Sequence, residues 1–166
     1  MSFDTRALRD TLGCFATGVA IVTTRCADGR PEGLTVNSFA SVSLEPPLVL
    51  FSFDRKGRCA DCLVGATHFA IHFLGSQHAA LSRAFSAKGG ADWGGIDWTE
   101  GAGSSPVLSY DLATLQCETH ARHDGGDHMI MVGRVVSLSH SERDPLLFFR
   151  GRYHNIAAPV PPELAA

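Results

Sequence analysis

Residues 113 to 138 most constrain the fold. Ala113, Leu115, Cys117 and Ala121 alternate with Thr114, Gln116, Glu118, His120 and Arg122, the pattern of a long half-exposed strand. Asp124-Gly125-Gly126-Asp127 then turns the chain into a second β-rich run from His128 to Leu138. Two long strands joined by so tight a turn pair antiparallel, and their partners must be found elsewhere in the chain.

Candidate partners are plain. Val19 to Thr24 is β-branched, Ala27-Asp28-Gly29-Arg30 is a turn, and Thr67 to Phe73 alternates. Leu48 to Phe53 is apolar on both faces, which predicts a central strand buried on both sides. Pro145 to Phe149 adds a last short strand. Helices are few: Asp4 to Phe15 with Asp4 as cap and Gly18 as stop, a short one over Arg58 to Gly65, and one capped by Ser76 running to Phe85. Six or seven strands with hairpin connections predict a mainly β antiparallel barrel with peripheral α-helices. A doubly wound parallel sheet is disfavoured, because helices do not alternate regularly with strands.

The 166 residues suit one domain, 1–166, with a core over about 5–155 and a tail from 156 to 166. A net charge of −3 and no basic stripe argue against nucleic acid. No run approaches the roughly 20 apolar residues that span a bilayer, and Met1 to Arg6 lacks the pattern of a signal peptide. Five cysteines, an odd number, then predict a reducing, cytoplasmic setting.

Between two strand-like runs lies the polar segment Gly33-Leu34-Thr35-Val36-Asn37-Ser38-Phe39-Ala40-Ser41-Val42-Ser43, closed by Pro46-Pro47. Its hydroxyls and amide give neutral hydrogen-bonding groups along a sheet edge, which suits a flat, phosphorylated ligand better than a bare metal. Arg55, Lys56 and Arg58 cluster just after the next strand, and arginine's fork matches phosphate oxygens. No G-x-G-x-x-G follows a strand, so no separate dinucleotide unit is present.

Phe15 to Thr23, Gly33 to Phe39 with Pro46-Pro47-Leu48-Val49, Gly126-Asp127-His128, and Leu147 to His154 together resemble the flavin reductase-like family, in order and at compatible spacing. The resemblance implies an FMN-binding split β-barrel of Greek-key type and a homodimer. It also implies an NAD(P)H:flavin oxidoreductase that reduces FMN or FAD with NADH or NADPH and supplies a separate flavin-dependent monooxygenase. By matching positions, Thr35, Asn37, Ser38, Ser52, Arg58, Arg83 and Phe85 would meet the flavin, and His128 and Tyr153 the nicotinamide nucleotide. Hydride transfer works by positioning two rings, so no acid–base catalytic residue is required. Rival readings are a flavin-binding electron carrier without nucleotide turnover, and a reductase acting on a corrinoid or ferric acceptor.

Each assignment has a plainer counterpart. Thr35, Asn37 and Ser38 also suit a bulged strand end, the 55–58 cations a solvated turn, and Arg83 and Phe85 the close of an amphipathic helix. His128 also suits packing beside Ile130 and Val132, and Tyr153 a capping aromatic. Cys59-Ala60-Asp61-Cys62 has no second pair for zinc, so its cysteines read as inert, with thiol contact to flavin the remainder; Cys14, Cys26 and Cys117 lie singly. His68 and His72 stand roughly 13 Å apart on a strand, so no metal site is predicted. The glycine-rich stretch from Ser86 to Pro106, with Trp93 and Trp98, reads as a lid, a dimer contact or ordinary packing.

Overall fold

A computed structural model describes residues 4–110 and 112–157. Met1 to Phe3 of the N-terminal reading, and 158–166 of the predicted tail, lie outside the described residues. The elements in chain order are α1 (Thr5–Leu12), β1 (Thr17–Gly18), β2 (Ala20–Arg25), β3 (Pro31–Val36), β4 (Ala40–Leu44), β5 (Pro47–Asp54) and α2 (Ala60–Gly65). They continue with β6 (His68–Phe73), α3 (Ala79–Ser86), β7 (Trp98–Glu100), β8 (Pro106–Leu108), β9 (Ala113–Gly125), β10 (His128–His140), β11 (Leu146–Phe149) and β12 (Arg152–Asn155). The chain is mainly β with few helices, and no helix among the described residues is long and apolar enough to cross a membrane.

Seven strands form one antiparallel sheet in the order β3-β2-β6-β9-β10-β5-β4. A flat sheet of that width would separate its edges by roughly 29 Å. Yet the edge strands β3 and β4 are joined by Asn37, Ser38 and Phe39 alone, a link that reaches roughly 14 Å. The sheet must therefore curl until its edges approach. Ser38 fixes the link: its hydroxyl donates to the Ser52 carbonyl (3.0 Å) and accepts from the Ser52 N–H (2.9 Å). The predicted β9–β10 hairpin is present, with Gly126 at φ 80° in its turn.

Curling divides the apolar residues into two sets. Val22, Val36, Phe51, Leu63, Phe69 and Met131 fill one core. Ile21, Leu74, Phe85, Leu108 and Leu146 form the other, under Trp93, Trp98 and Tyr153. The predicted 86–106 loop thus packs: Trp93 meets Phe85 edge-on at 5.3 Å and Trp98 at 6.0 Å. The doubly buried strand is β2 and not β5, a correction. α3 and the Trp-bearing segment cover the outer face of β2. β5 buries Val49, Phe51 and Phe53, while Leu48, Leu50 and Ser52 stay half-buried on the other face.

Further corrections are local. α1 keeps its Asp4 cap, whose carboxylate accepts from the Arg6 N–H (3.1 Å), but ends at Gly13 and not Gly18. Its Leu8 and Leu12 are exposed, as is Phe15 beyond it. Ser76 begins a 3-10 turn and does not cap α3, which starts at Ala79. β12 adds a strand beyond the last predicted one. His72 is buried between the hydroxyls of Thr23 and Thr114. The cysteine reading is corrected most: Cys26 and Cys62 form a disulfide across 36 residues, because the β2–β3 turn folds back against α2.

One buried carboxylate organises the approach to α2. Glu32, 3% exposed, accepts from the Gly33 N–H (3.0 Å) and pairs with Arg30 (3.0 Å) and Arg58. Burial pushes its carboxyl up, but the Arg58 and Gly33 hydrogen bonds and the guanidinium charges outweigh this and hold it below the usual value of 4.5. A lowered folded-state value stabilises the fold above the unfolded pKa, and that contribution fades as pH falls through the folded one. We expect Glu32→Gln to cost roughly 1.5–3 kcal/mol near neutral pH. The gap between variant and wild type should close as urea midpoints are followed below about pH 4.5.

Candidate functional site

The residues of the candidate site converge where α3 meets β3. Gly33 permits this approach: a Cβ there would stand 2.8 Å from the Phe85 ring and 3.0 Å from the Val22 carbonyl. With α3 so seated, Thr35 donates its hydroxyl proton to the Ser82 carbonyl (2.7 Å). The Ser82 hydroxyl shares a 2.8 Å hydrogen bond with the Tyr153 phenol. Arg83 places its guanidinium over the Tyr153 ring at 5.7 Å. Thr35, Arg83, Phe85 and Tyr153 thus gather around Ser82, which carries no sequence signal of its own: a serine inside a short helix.

Beside this cluster lies a cleft of about 520 Å³. Leu34, Phe53, Ala60 and Phe85 supply apolar wall; Thr35, Ser86, the Asp54 carboxylate and the cations Lys56, Arg58 and Lys88 supply polar groups. The cations divide by their partners. Arg58 is committed to Glu32 and the Gly33 carbonyl (2.9 Å). Arg55 lies against the β9–β10 turn, donating to the Gly126 and His128 carbonyls (3.1 and 3.2 Å) and pairing with Asp124 (2.9 Å). Among the described residues, Lys56 and Lys88 have no ion-pair partner, and both are exposed at the cleft. Lys88 carries one weak sequence signal, a cation three residues beyond the predicted helix end at Phe85.

Other predicted residues fall elsewhere. Asn37 is exposed and lines two neighbouring cavities of about 700 and 260 Å³ with Phe15. The Ser38 hydroxyl bonds the Ser52 backbone and so ties the β3–β4 link to β5, where Ser52 is half-buried. His128, at the start of β10 opposite Asp54, shares a 2.8 Å contact with the Asp127 carboxylate. That hydrogen bond, aided by the His128 charge, holds Asp127 below the usual carboxylate value. His128 and Tyr153 belong to different sheets and share no hydrogen bond or ring contact.

Cys59 also lines the cleft, but its thiol donates to the Gly33 carbonyl (3.2 Å). Burial, then the Glu32 charge, push it up to about 12, so it remains protonated and is no nucleophile near neutrality. The cleft can therefore bind and orient a ligand, and its chemistry is that of placement: apolar wall for a ring, unpaired ammonium groups for an anion, and hydroxyls between them.

Comparison with known proteins agrees. Residues 12–157 match the model of the flavin reductase like domain. The chain is 43% identical over 150 residues to the FMN reductase (NADH) SmoA of Agrobacterium fabrum, spanning 90% of this chain and 85% of that protein. It is 42% identical to HsaB of Rhodococcus jostii, the reductase subunit of a flavin-dependent monooxygenase, over 93% of this chain and 80% of HsaB. Its fold superposes on the NADH:FAD oxidoreductase SgcE6 of Streptomyces globisporus C-1027, solved with NAD and FAD fragments, at a TM-score of 0.86 and 33% identity, covering 95% and 97% of the two chains. The match over nearly the whole described chain establishes that this protein belongs to the flavin reductase-like family.

Proposed function

We propose that this protein is an NADH-dependent flavin reductase that reduces FMN or FAD and releases it to a separate flavin-dependent monooxygenase. The carrying observation is the cleft itself: an apolar wall beside Thr35, with two unpaired lysines at its edge. A flat ring with a phosphorylated tail needs those features and little more. The bound flavin accepts a hydride from the nicotinamide; the protein contributes orientation and charge.

In this reading Lys56 and Lys88 take the phosphate, and Arg58, held by Glu32, shapes the wall between them. Thr35 and Phe85 stand against the ring, with Asn37, Ser38 and Ser52 along the curled edge. Arg83 and Tyr153 close the side where α3 meets β12. His128 meets the nicotinamide nucleotide, its imidazole steered by Asp127. We take the curled sheet as a split barrel of Greek-key type and the chain as one domain with its core over about 5–155. The pyridine-nucleotide chemistry points to the cytoplasm. The exposed Leu8, Leu12 and Phe15, with Leu44 at 93% exposed, support a homodimer that covers them.

Purified protein should accelerate NADH oxidation when FMN or FAD is added; no acceleration with either would end this reading, and flavin retained without turnover would favour an electron carrier. Replacing Lys56 and Lys88 together by Ala should weaken FMN binding roughly tenfold or more while leaving riboflavin, which lacks the phosphate, little changed. His128→Ala should raise the KM for NADH by roughly tenfold and move the FMN Kd much less; equal loss of both with an intact fold would refute its nucleotide role.

A further inference from the structure

α2 joins two features of the chain that the proposed reaction leaves unconnected. At its N-terminal end Cys59 and Ala60 line the cleft, directly after Arg58. At Cys62 the same six-residue helix is bonded to Cys26, which sits at the β2–β3 turn. Among the described residues this is the one covalent tie between distant elements. The turn and the cleft are also linked electrostatically, since Glu32 follows the turn on β3 and holds Arg58. Cys62 is placed differently from its buried partner Cys26 and from the other internal cysteines. Cys59 and Cys117 are buried thiols, whereas Cys62 is half-buried and lines a small cavity of about 130 Å³ with Arg25 and His68. A small oxidant or a thiol can reach Cys62 from this cavity, which Asp61 also lines.

We propose that Cys26 and Cys62 are a reversible, peroxide-oxidised thiol pair that sets how tightly the cleft holds flavin, an inference that rests on reading the cleft as the flavin site. The oxidant arises from the reaction's own product. Dihydroflavin that meets dioxygen passes it two electrons and two protons, yielding oxidised flavin and hydrogen peroxide. The Cys62 thiolate attacks one peroxide oxygen, the O–O bond breaks, and the departing hydroxide takes a proton to become water. The Cys26 thiol then attacks the sulfenic sulfur, the S–S bond forms, and a second water leaves. Two thiols and one peroxide thus give one disulfide and two waters. A dithiol reductant returns two electrons and two protons by exchange.

The bonded form fixes α2 and with it the wall formed by Cys59, Ala60 and Arg58. A fixed wall is preorganised for its ligand and binds it more tightly. The reduced form leaves α2 held by the packing of Leu63 and by backbone hydrogen bonds, and binds more weakly. Peroxide therefore converts a releasing reductase into a retaining one, and less free dihydroflavin reaches dioxygen.

The test compares protein reduced with dithiothreitol and protein oxidised with hydrogen peroxide, each desalted. Thiol titration of the unfolded chains should find five thiols in the first and three in the second, with the link between Cys26 and Cys62 located by peptide mass. FMN titration followed by fluorescence should give a Kd about 3- to 10-fold lower for the oxidised form. Cys26→Ser with Cys62→Ser should bind FMN as the reduced form does and ignore peroxide; should that double variant not fold, Cys62→Ser alone makes the same comparison. Equal Kd values in the two forms, or a peroxide-treated chain without the Cys26–Cys62 link, would overturn the switch and leave the flavin site standing. Absence of FMN binding in both forms would instead remove the flavin reading, and this inference with it.

Discussion

The short link from β3 to β4 shapes the molecule. Backbone hydrogen bonding makes seven strands one sheet, and covalent reach forbids that sheet from lying flat. The curl creates an inside, filled by Phe51, Phe69 and Met131, and an outside that α3 and the tryptophans cover in part. It also brings the end of β3 near the segment after β5, so Thr35 and Lys56 share one cleft although 21 positions separate them in the chain. Ser38 holds the curl by bonding the Ser52 backbone, a structural duty carried out inside the hydroxyl-rich stretch from Gly33 to Ser43.

Charge is distributed with the same economy. The cations that cluster in sequence after β5 do different work in space. Arg55 ties that segment to the β9–β10 turn, and Arg58 joins Arg30 and the Gly33 N–H in satisfying the buried Glu32 carboxylate. The cleft's free positive charge comes from Lys56 and from Lys88, which arrives from beyond α3. An anion entering the cleft thus meets flexible ammonium groups at the edge, while the rigid guanidinium behind them is already satisfied.

The apolar outside is finished unevenly. β2 is covered on both faces, and β5, α1 and Phe15 are not. That asymmetry explains how a strand apolar at nearly every position can be only half-buried on one face: coverage depends on which elements pack over a strand, and α3 packs over β2. The uncovered Leu12 and Phe15 line a cavity of about 700 Å³ together with Asn37.

Much of the local structure was legible in the sequence because its causes are local. Alternation set β6 and β9, a β-rich run set β10, Asp-Gly and Gly-Gly set the turns, and Asp4 set the start of α1. The ordered motifs from Phe15 to His154 identified the family, since several short patterns in register are specific where one is not. The sequence could not show that Cys26 meets Cys62, that Ser82 joins Thr35 to Tyr153, or that Arg58 belongs to Glu32. Periodicity reports which face of an element is apolar, but a contact between residues 36 or 71 positions apart arises only when the curl of the sheet brings their elements together.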